Sequence, residues 1–146
     1  MAVASQNIFN TEGIFLPKDA FVVVVRTAWN AHIVDELEKG CIEELNRKQI
    51  KCKVISVPGA FEIPFMIRNC WENGIRPNAF IALGCVIKGD TPHFDYVCKA
   101  VTDGILQLNL MLPVPVIYGM LTVNNEQQAR ERIGGVHGHK GSEAAS

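Results

Sequence analysis

The densest run of chemically versatile side chains is Lys88-Gly89-Asp90-Thr91-Pro92-His93-Phe94. A threonine followed by a proline is a common helix opening. Thr91 suits the N-cap, and Pro92, which needs no amide proton, suits the first helical position, so His93 falls in the first turn. The free amides of a helix start, the flexible Gly89 and the Thr91 hydroxyl would together suit a phosphate. The positive end of the helix dipole disfavours an imidazolium, which would leave His93 neutral near pH 7 and able to take a proton. A well-capped helix without any ligand accounts for the same residues, so the run alone does not decide.

Other segments offer partners for such a site. Trp29-Asn30 follows an apolar run. The indole is either a lid on the core or a stacking platform for a flat heterocycle, with the Asn30 amide meeting its polar edge. Val57-Pro58-Gly59-Ala60-Phe61-Glu62 brings a carboxylate to the start of a helix. Glu62 there offsets the helix dipole, or accepts hydrogen bonds from a polyol. His137 and His139 lie two apart in a glycine-rich loop, but no third ligand stands at metal-binding spacing, so no metal is expected. His32 is expected to be exposed. Gly40 and Gly104 interrupt helical patterns at a cost of ~1 kcal/mol each relative to alanine, which points to close helix approach within or between subunits.

These residues need elements to hold them, and the chain alternates strand with helix. Residues 21–25 form a β-branched run without polar alternation, as expected of a strand covered on both faces. Ile33, Val34, Leu37, Cys41, Ile42 and Leu45 then recur at helical spacing, opposite Asp35, Glu36, Glu38 and Lys39. A second strand is predicted over 54–57, stopped by Pro58-Gly59. The following helix carries Ile63, Met66, Ile67, Cys70 and Trp71 and tolerates Pro64 only in its first turn. Residues 80–87 predict the third strand, 94–112 the third helix, 115–121 the fourth strand and 125–133 a last short helix closed by Gly134-Gly135. Strands separated by amphipathic helices imply right-handed crossovers, a parallel sheet and helices on both faces. Residues 1–19 read as an arm and 20–146 as a single α/β domain. Ligands of such sheets sit beyond the carboxyl ends of the strands, here the loops at 27–30, 58–61, 88–93 and 122–125.

Composition narrows the possibilities. The 48% hydrophobic and 20% charged content excludes intrinsic disorder. Fourteen basic against fifteen acidic residues leave a net charge of −1, with no electrostatic footprint for a nucleic acid or an anionic membrane surface. No apolar run approaches the ~20 residues of a membrane span, and the first residues do not read as a signal peptide. Cys41, Cys52, Cys70, Cys85 and Cys98 form an odd, widely spaced set, expected to be reduced thiols in a cytoplasmic protein.

Four segments resemble the lumazine synthases of riboflavin biosynthesis. They are Trp29-Asn30, Val57-Pro58-Gly59-Ala60-Phe61-Glu62-Ile63-Pro64, the run from Gly84 through Lys88-Gly89-Asp90-Thr91-Pro92-His93-Phe94 to Val97, and Gln128-Ala129-Arg130-Glu131-Arg132 leading into Gly138-His139-Lys140-Gly141. The resemblance spans roughly residues 20–145. It implies a three-layer α/β/α sandwich of the flavodoxin-like kind, with a four-stranded parallel sheet and an arm that adds a strand to a neighbour. The implied reaction condenses 5-amino-6-(D-ribitylamino)uracil with 3,4-dihydroxy-2-butanone 4-phosphate to 6,7-dimethyl-8-ribityllumazine, without metal or organic cofactor.

The resemblance also implies roles. His93 matches the general acid/base, and Arg132 the phosphate anchor, with Gly89, Asp90 and Thr91 completing the anion pocket. Trp29 would stack on the pyrimidine, where many relatives have phenylalanine. Asn30, Ala60, Phe61 and Glu62 would bind the ribityl chain, and Val86 and Ile87 would line the pyrimidine pocket. Tyr118 and Lys140 match positions supplied by a neighbouring subunit, because family sites lie between subunits of a pentamer. The third helix would then pack around the five-fold axis, giving Gly104 a use. The compact stretch from Arg132 to Gly141 matches relatives that build a 60-subunit icosahedral shell, and association with riboflavin synthase is a further implication.

One departure is that relatives carry a further helix after the Lys-Gly-x-Glu-Ala-Ala stretch, whereas this sequence stops at Ser146. That is expected to touch assembly more than chemistry. Two rival classes are a non-catalytic lumazine- or flavin-binding or shell protein, and a flavodoxin-like signalling domain. His93 and Arg132 together argue against the first, and the lack of an acidic cluster at 27–30 against the second.

Overall fold

A computed structural model describes Pro17 and residues 19–146. The arm expected over 1–19 therefore falls almost wholly outside the described residues. The elements follow in the order β1 (Phe21–Thr27), α1 (Ala31–Arg47), β2 (Lys51–Val57), a 3-10 turn (Ala60–Glu62), α2 (Ile63–Glu72), β3 (Ala79–Ile87), α3 (His93–Met111), β4 (Val116–Val123), α4 (Glu126–Arg130), β5 (Ile133–Gly135), β6 (Gly138–His139) and α5 (Lys140–Ala145). The first four strands form one parallel sheet in the order β2-β1-β3-β4. This is the three-layer α/β/α arrangement of flavodoxin-like folds.

The sheet sorts its side chains by alternation. Val22 and Val24 of β1 join Ile33, Val34, Leu37, Cys41 and Leu45 of α1 in one core. Val23 and Val25 join Ile63 and Ile67 of α2 and Val101, Ile105 and Leu108 of α3 in the other. A fully buried leucine or isoleucine contributes about 1.5–3 kcal/mol, so both helical layers are held chiefly by these apolar stripes. Gly104 has its reason inside the chain: a Cβ there would come within 2.7 Å of Pro64 Cγ, so α2 and α3 meet where α3 lacks a side chain. The intersubunit use expected for Gly104 is not needed to explain it.

Several boundaries differ from expectation. Pro92, not Thr91, precedes the first helical residue of α3, because Asp95 and Tyr96 amides bond back to the Pro92 carbonyl. Helix α3 ends at Met111, one residue early, because Leu112 is extended before Pro113. Helix α4 ends at Arg130 rather than 133. Beyond it the His137 amide bonds to the Glu131 carbonyl and the Lys140 amide to the Arg132 carbonyl, folding the chain into the β5–β6 hairpin. Gly134 (φ 109°) and Gly138 (φ 81°) take the left-handed positions this requires. The Lys140-Gly141-Ser142-Glu143-Ala144-Ala145 stretch, given no secondary structure by the sequence pattern, forms helix α5.

Strand order reverses at β1: the chain goes to β2 on one side, then crosses to β3 and β4 on the other. The carboxyl ends of β1 and β3 flank this switch point, where such sheets open a crevice for a ligand.

Candidate active site

A cavity of about 410 Å³ opens at that crevice, and three of the four loops marked by the sequence meet around it. Trp29 and Asn30 reach it from the end of β1, Ala60, Phe61 and Glu62 from the 3-10 turn after β2, and Val86 and Ile87 from the end of β3. Gly89, Thr91 and His93 close the remaining side. Asp90 is exposed and is not part of the lining.

Backbone hydrogen bonds fix this wall. The Ala28 amide donates to the Val57 carbonyl at 2.7 Å and the Trp29 amide to the Pro58 carbonyl at 3.1 Å, so the first two loops move as one. Asn30 stands in the left-handed region (φ 58°, ψ 40°), and its side-chain amide donates to the Cys85 carbonyl at 2.8 Å. That bond ties the first loop to β3 and uses one of the two amide protons, leaving the Asn30 Oδ1 and the second N–H for a ligand. The Trp29 indole lies over Gly59, where a Cβ would come within 3.2 Å of it. Trp29 and Phe61 are nonetheless 67% and 66% exposed, two aromatic faces held open at the mouth. One Glu62 oxygen accepts the Gly59 amide at 3.0 Å, so capping occupies half of that carboxylate.

At the head of α3 the His93 amide reaches the Thr91 hydroxyl at a long 3.4 Å, and the His93 side chain is exposed. Thr27, Gly59, Cys85, Phe94 and Val97 also line the cavity, although sequence reasoning did not single them out as site residues. Val97 lies one turn beyond His93 on α3 and Phe94 three residues before Val97, a helical spacing that would have identified them. Burial, with Glu126 adding to it, pushes the Cys85 thiol up to about 12. It therefore lines the cavity as a neutral thiol and not as a nucleophile.

The other three predicted residues lie elsewhere. Tyr118, Arg132 and Lys140 line a second cavity of about 240 Å³, beside the edge strand β4, with Thr122, Val123, His137 and Glu143. The Arg132 guanidinium donates to the Gln128 carbonyl at 2.8 Å and stands 3.7 Å from Glu131 Oε2. Tyr118 Oη shares a hydrogen bond with Thr102 Oγ1 at 3.1 Å. Asn125, in the fourth loop, caps α4 by accepting the Gln128 amide at 2.9 Å.

The remaining histidines separate. His32 is exposed as expected and contacts Glu126. His139 lies on Gly40, where any Cβ would overlap its ring, and its Nδ1 accepts the Ser142 amide at 3.2 Å. Gly40 thus makes room for an imidazole that caps α5. Among the described residues, no three His, Cys, Asp or Glu side chains gather as a metal site would require.

Comparison with known proteins bears on the same residues. Residues 19–146 match the family model described as 6,7-dimethyl-8-ribityllumazine synthase. A protein of that name from Parabacteroides distasonis is 41% identical over 99% of this chain and 93% of its own length. One from Bacteroides fragilis is 46% identical over 84% of this chain and 87% of its own. A third, from Porphyromonas gingivalis, is 43% identical over 99% and 92% respectively.

Proposed function

The chain belongs to the 6,7-dimethyl-8-ribityllumazine synthase family, and we propose that its two cavities are complementary halves of that enzyme's active site. It joins 5-amino-6-(D-ribitylamino)uracil to 3,4-dihydroxy-2-butanone 4-phosphate, releasing one inorganic phosphate and two waters. The observation that carries the composite site is the separation itself. The acid/base candidate His93 lines one cavity and the phosphate-anchor candidate Arg132 the other.

In this reading Trp29 stacks on the pyrimidine while Val86 and Ile87 line its pocket. The free oxygen of Glu62, the Asn30 Oδ1 and the backbone from Ala60 to Phe61 hold the ribityl chain. A neighbouring copy brings Arg132, Lys140 and Tyr118 across the mouth, and the guanidinium fork meets the phosphate beside Gly89, Asp90 and Thr91. The pyrimidine amine attacks the ketone, and loss of water gives a Schiff base. His93 moves protons as phosphate leaves and again as the second ring closes with loss of the second water. Side-by-side binding of the two substrates supplies up to ~7–11 kcal/mol of the acceleration.

The assembly that brings such halves together is a homo-oligomeric ring, read here as a pentamer, with a 60-subunit shell as its larger form. A cytoplasmic location and an association with riboflavin synthase belong to the same reading. No helix among the described residues is long and apolar enough to cross a membrane.

The test is turnover of the two substrates by the purified chain, followed by lumazine absorbance and fluorescence, with light scattering on the same sample. Product from a ring or shell is expected. Product from a stable monomer would sink the composite site, and an assembled particle without turnover would favour a binding or shell protein.

A further inference from the structure

Arg26 is the one charged residue of β1, and its side chain is only 11% exposed. Strand β1 pairs with β3 up to Arg26 and Leu83, and Thr27 lies one residue beyond that ladder. The Arg26 guanidinium curls forward and donates to the Thr27 carbonyl through both Nε (3.2 Å) and Nη2 (3.0 Å). Its Nη1 meets Asp35 and, at 3.1 Å, Glu38, both on α1. Burial opposes this charge, but the two carboxylates outweigh it and hold the group further toward its charged form. The cation is therefore permanent, and its planar fork spans two structures at once.

Between those two anchors lies only the turn 28–30. Thr27 is the sole buried polar residue among those described, and its hydroxyl donates to the Trp29 carbonyl at 3.3 Å. A chain of hydrogen bonds thus runs from α1 through Arg26 to the Thr27 peptide, and from Thr27 to Trp29. On the far side, Asn30 begins α1 from the left-handed region, and its side-chain amide is tied to the Cys85 carbonyl. The backbone on both sides of Trp29 is pinned, while the indole itself remains open to solvent.

We propose that Arg26 is a positioning residue for the ribitylaminouracil end of the site: it sets the orientation of Trp29 and Asn30 by clamping the Thr27 carbonyl to α1. This deepens the reading given above and rests on it for the identity of the substrate. Arg26 touches neither substrate. A guanidinium is needed because an ammonium pairs with the carboxylates but has no fork to hold the carbonyl as well.

Arg26→Met and Arg26→Lys test this, with thermal melting, steady-state kinetics for each substrate, and Trp29 fluorescence anisotropy in a Trp71→Phe background. The methionine variant is expected to raise KM for the ribitylaminouracil about tenfold, since loss of alignment acts on the substrate it aligns. KM for the butanone phosphate should stay unchanged, and Trp29 anisotropy should fall. The lysine variant is the discriminating one. It restores the melting temperature by keeping the pairs to Asp35 and Glu38, yet retains the raised KM and the lowered anisotropy. Should lysine restore KM and anisotropy along with stability, Arg26 is a structural ion-pair member and the proposal falls. It falls equally if methionine leaves both unchanged. The anisotropy arm needs no substrate, so it decides even if the wild-type chain makes no lumazine.

Discussion

The two cavities are built on different principles. The larger is walled by strand ends and loops that hydrogen-bond to each other, from Ala28 and Val57 to Asn30 and Cys85. Its lining is largely aromatic and apolar, with Glu62 as its only carboxylate. The smaller lies on the sheet edge and carries Arg132, His137, Lys140 and Glu143 on the turn after α4, the hairpin and the last helix. Shape is invested in one region and charge in the other. A flat heterocycle needs a rigid slot, whereas a phosphate needs cations. Keeping the two apart spares the chain a buried cluster of unsatisfied charge.

The sharpest way to break this contrast is to remove one component from each side. His93→Ala should lower kcat by about 10²–10⁴-fold, the usual worth of a positioned acid/base, with binding of a substrate analogue retained in titration calorimetry. Equal loss of binding would make His93 part of the wall. Arg132→Ala should act on capture of the phosphate substrate, raising its KM about 10–100-fold as a charge-assisted pair is lost, with little rescue by lysine. Mixing the two variants and reassembling them should then restore activity at low phosphate-substrate concentration, where each alone is nearly silent, since pairs in which each chain supplies its intact half occur at about one site in four. No recovery from a reassembled mixture would mean that the halves do not come from different chains.

A subtler test alters one region and leaves the other alone. A Cβ at Gly141 would overlap the Leu37 carbonyl oxygen, a backbone atom that cannot swing aside. Gly141→Ala should cost about 1–3 kcal/mol in urea unfolding, displace α5 with Lys140, and weaken phosphate-substrate capture. Analogue binding in the Trp29 cavity should hardly change.

The smallest effect concerns the thiols. Burial first, then neighbouring Cys52 and Glu38, pushes Cys41 up to about 12, the level reached by Cys85. Native protein should therefore react slowly with iodoacetamide at pH 8 at both positions, although only Cys85 lines a cavity. The folded state holds these protons more tightly than the unfolded chain does. Their contribution is thus complete below about pH 8.5 and lost progressively as pH rises toward 12. A melting temperature flat to pH 8.5 and falling above it would agree; a rise in that range would contradict the burial of both groups.

What could be read beforehand follows the same division. Strands β1 and β3 announce themselves because central strands buried on both faces must be apolar runs. The edge strand β2 was predicted only over 54–57, since Lys51 and Lys53 face solvent and the pairing with β1 that makes them strand is nonlocal. The larger cavity was legible because strand ends converge by topology, and its wall residues stand beside recognisable turns. The hairpin was not, because β5 and β6 exist through backbone bonds and two left-handed glycines rather than through any periodic pattern. Arg26 escaped notice for a related reason. Its carboxylates lie nine and twelve positions away on a helix, and only the fold brings them together.

The docking of α5 on α1 has a consequence in time. The Ser142 hydroxyl bonds to the Gly40 carbonyl across 102 positions, and His139 must already be seated on Gly40 for its ring to cap the helix. Loop closure over such a span follows the formation of nearer contacts. During synthesis, a nascent chain has all the elements of the heterocycle slot once β4 has emerged, while Lys140 has yet to be made. If the composite site proposed above forms, each chain would thus be able to host a neighbour's cations before it had its own to lend. The order in which the ribosome delivers the elements makes the seating of α5, and with it Lys140, the last step in building the smaller cavity.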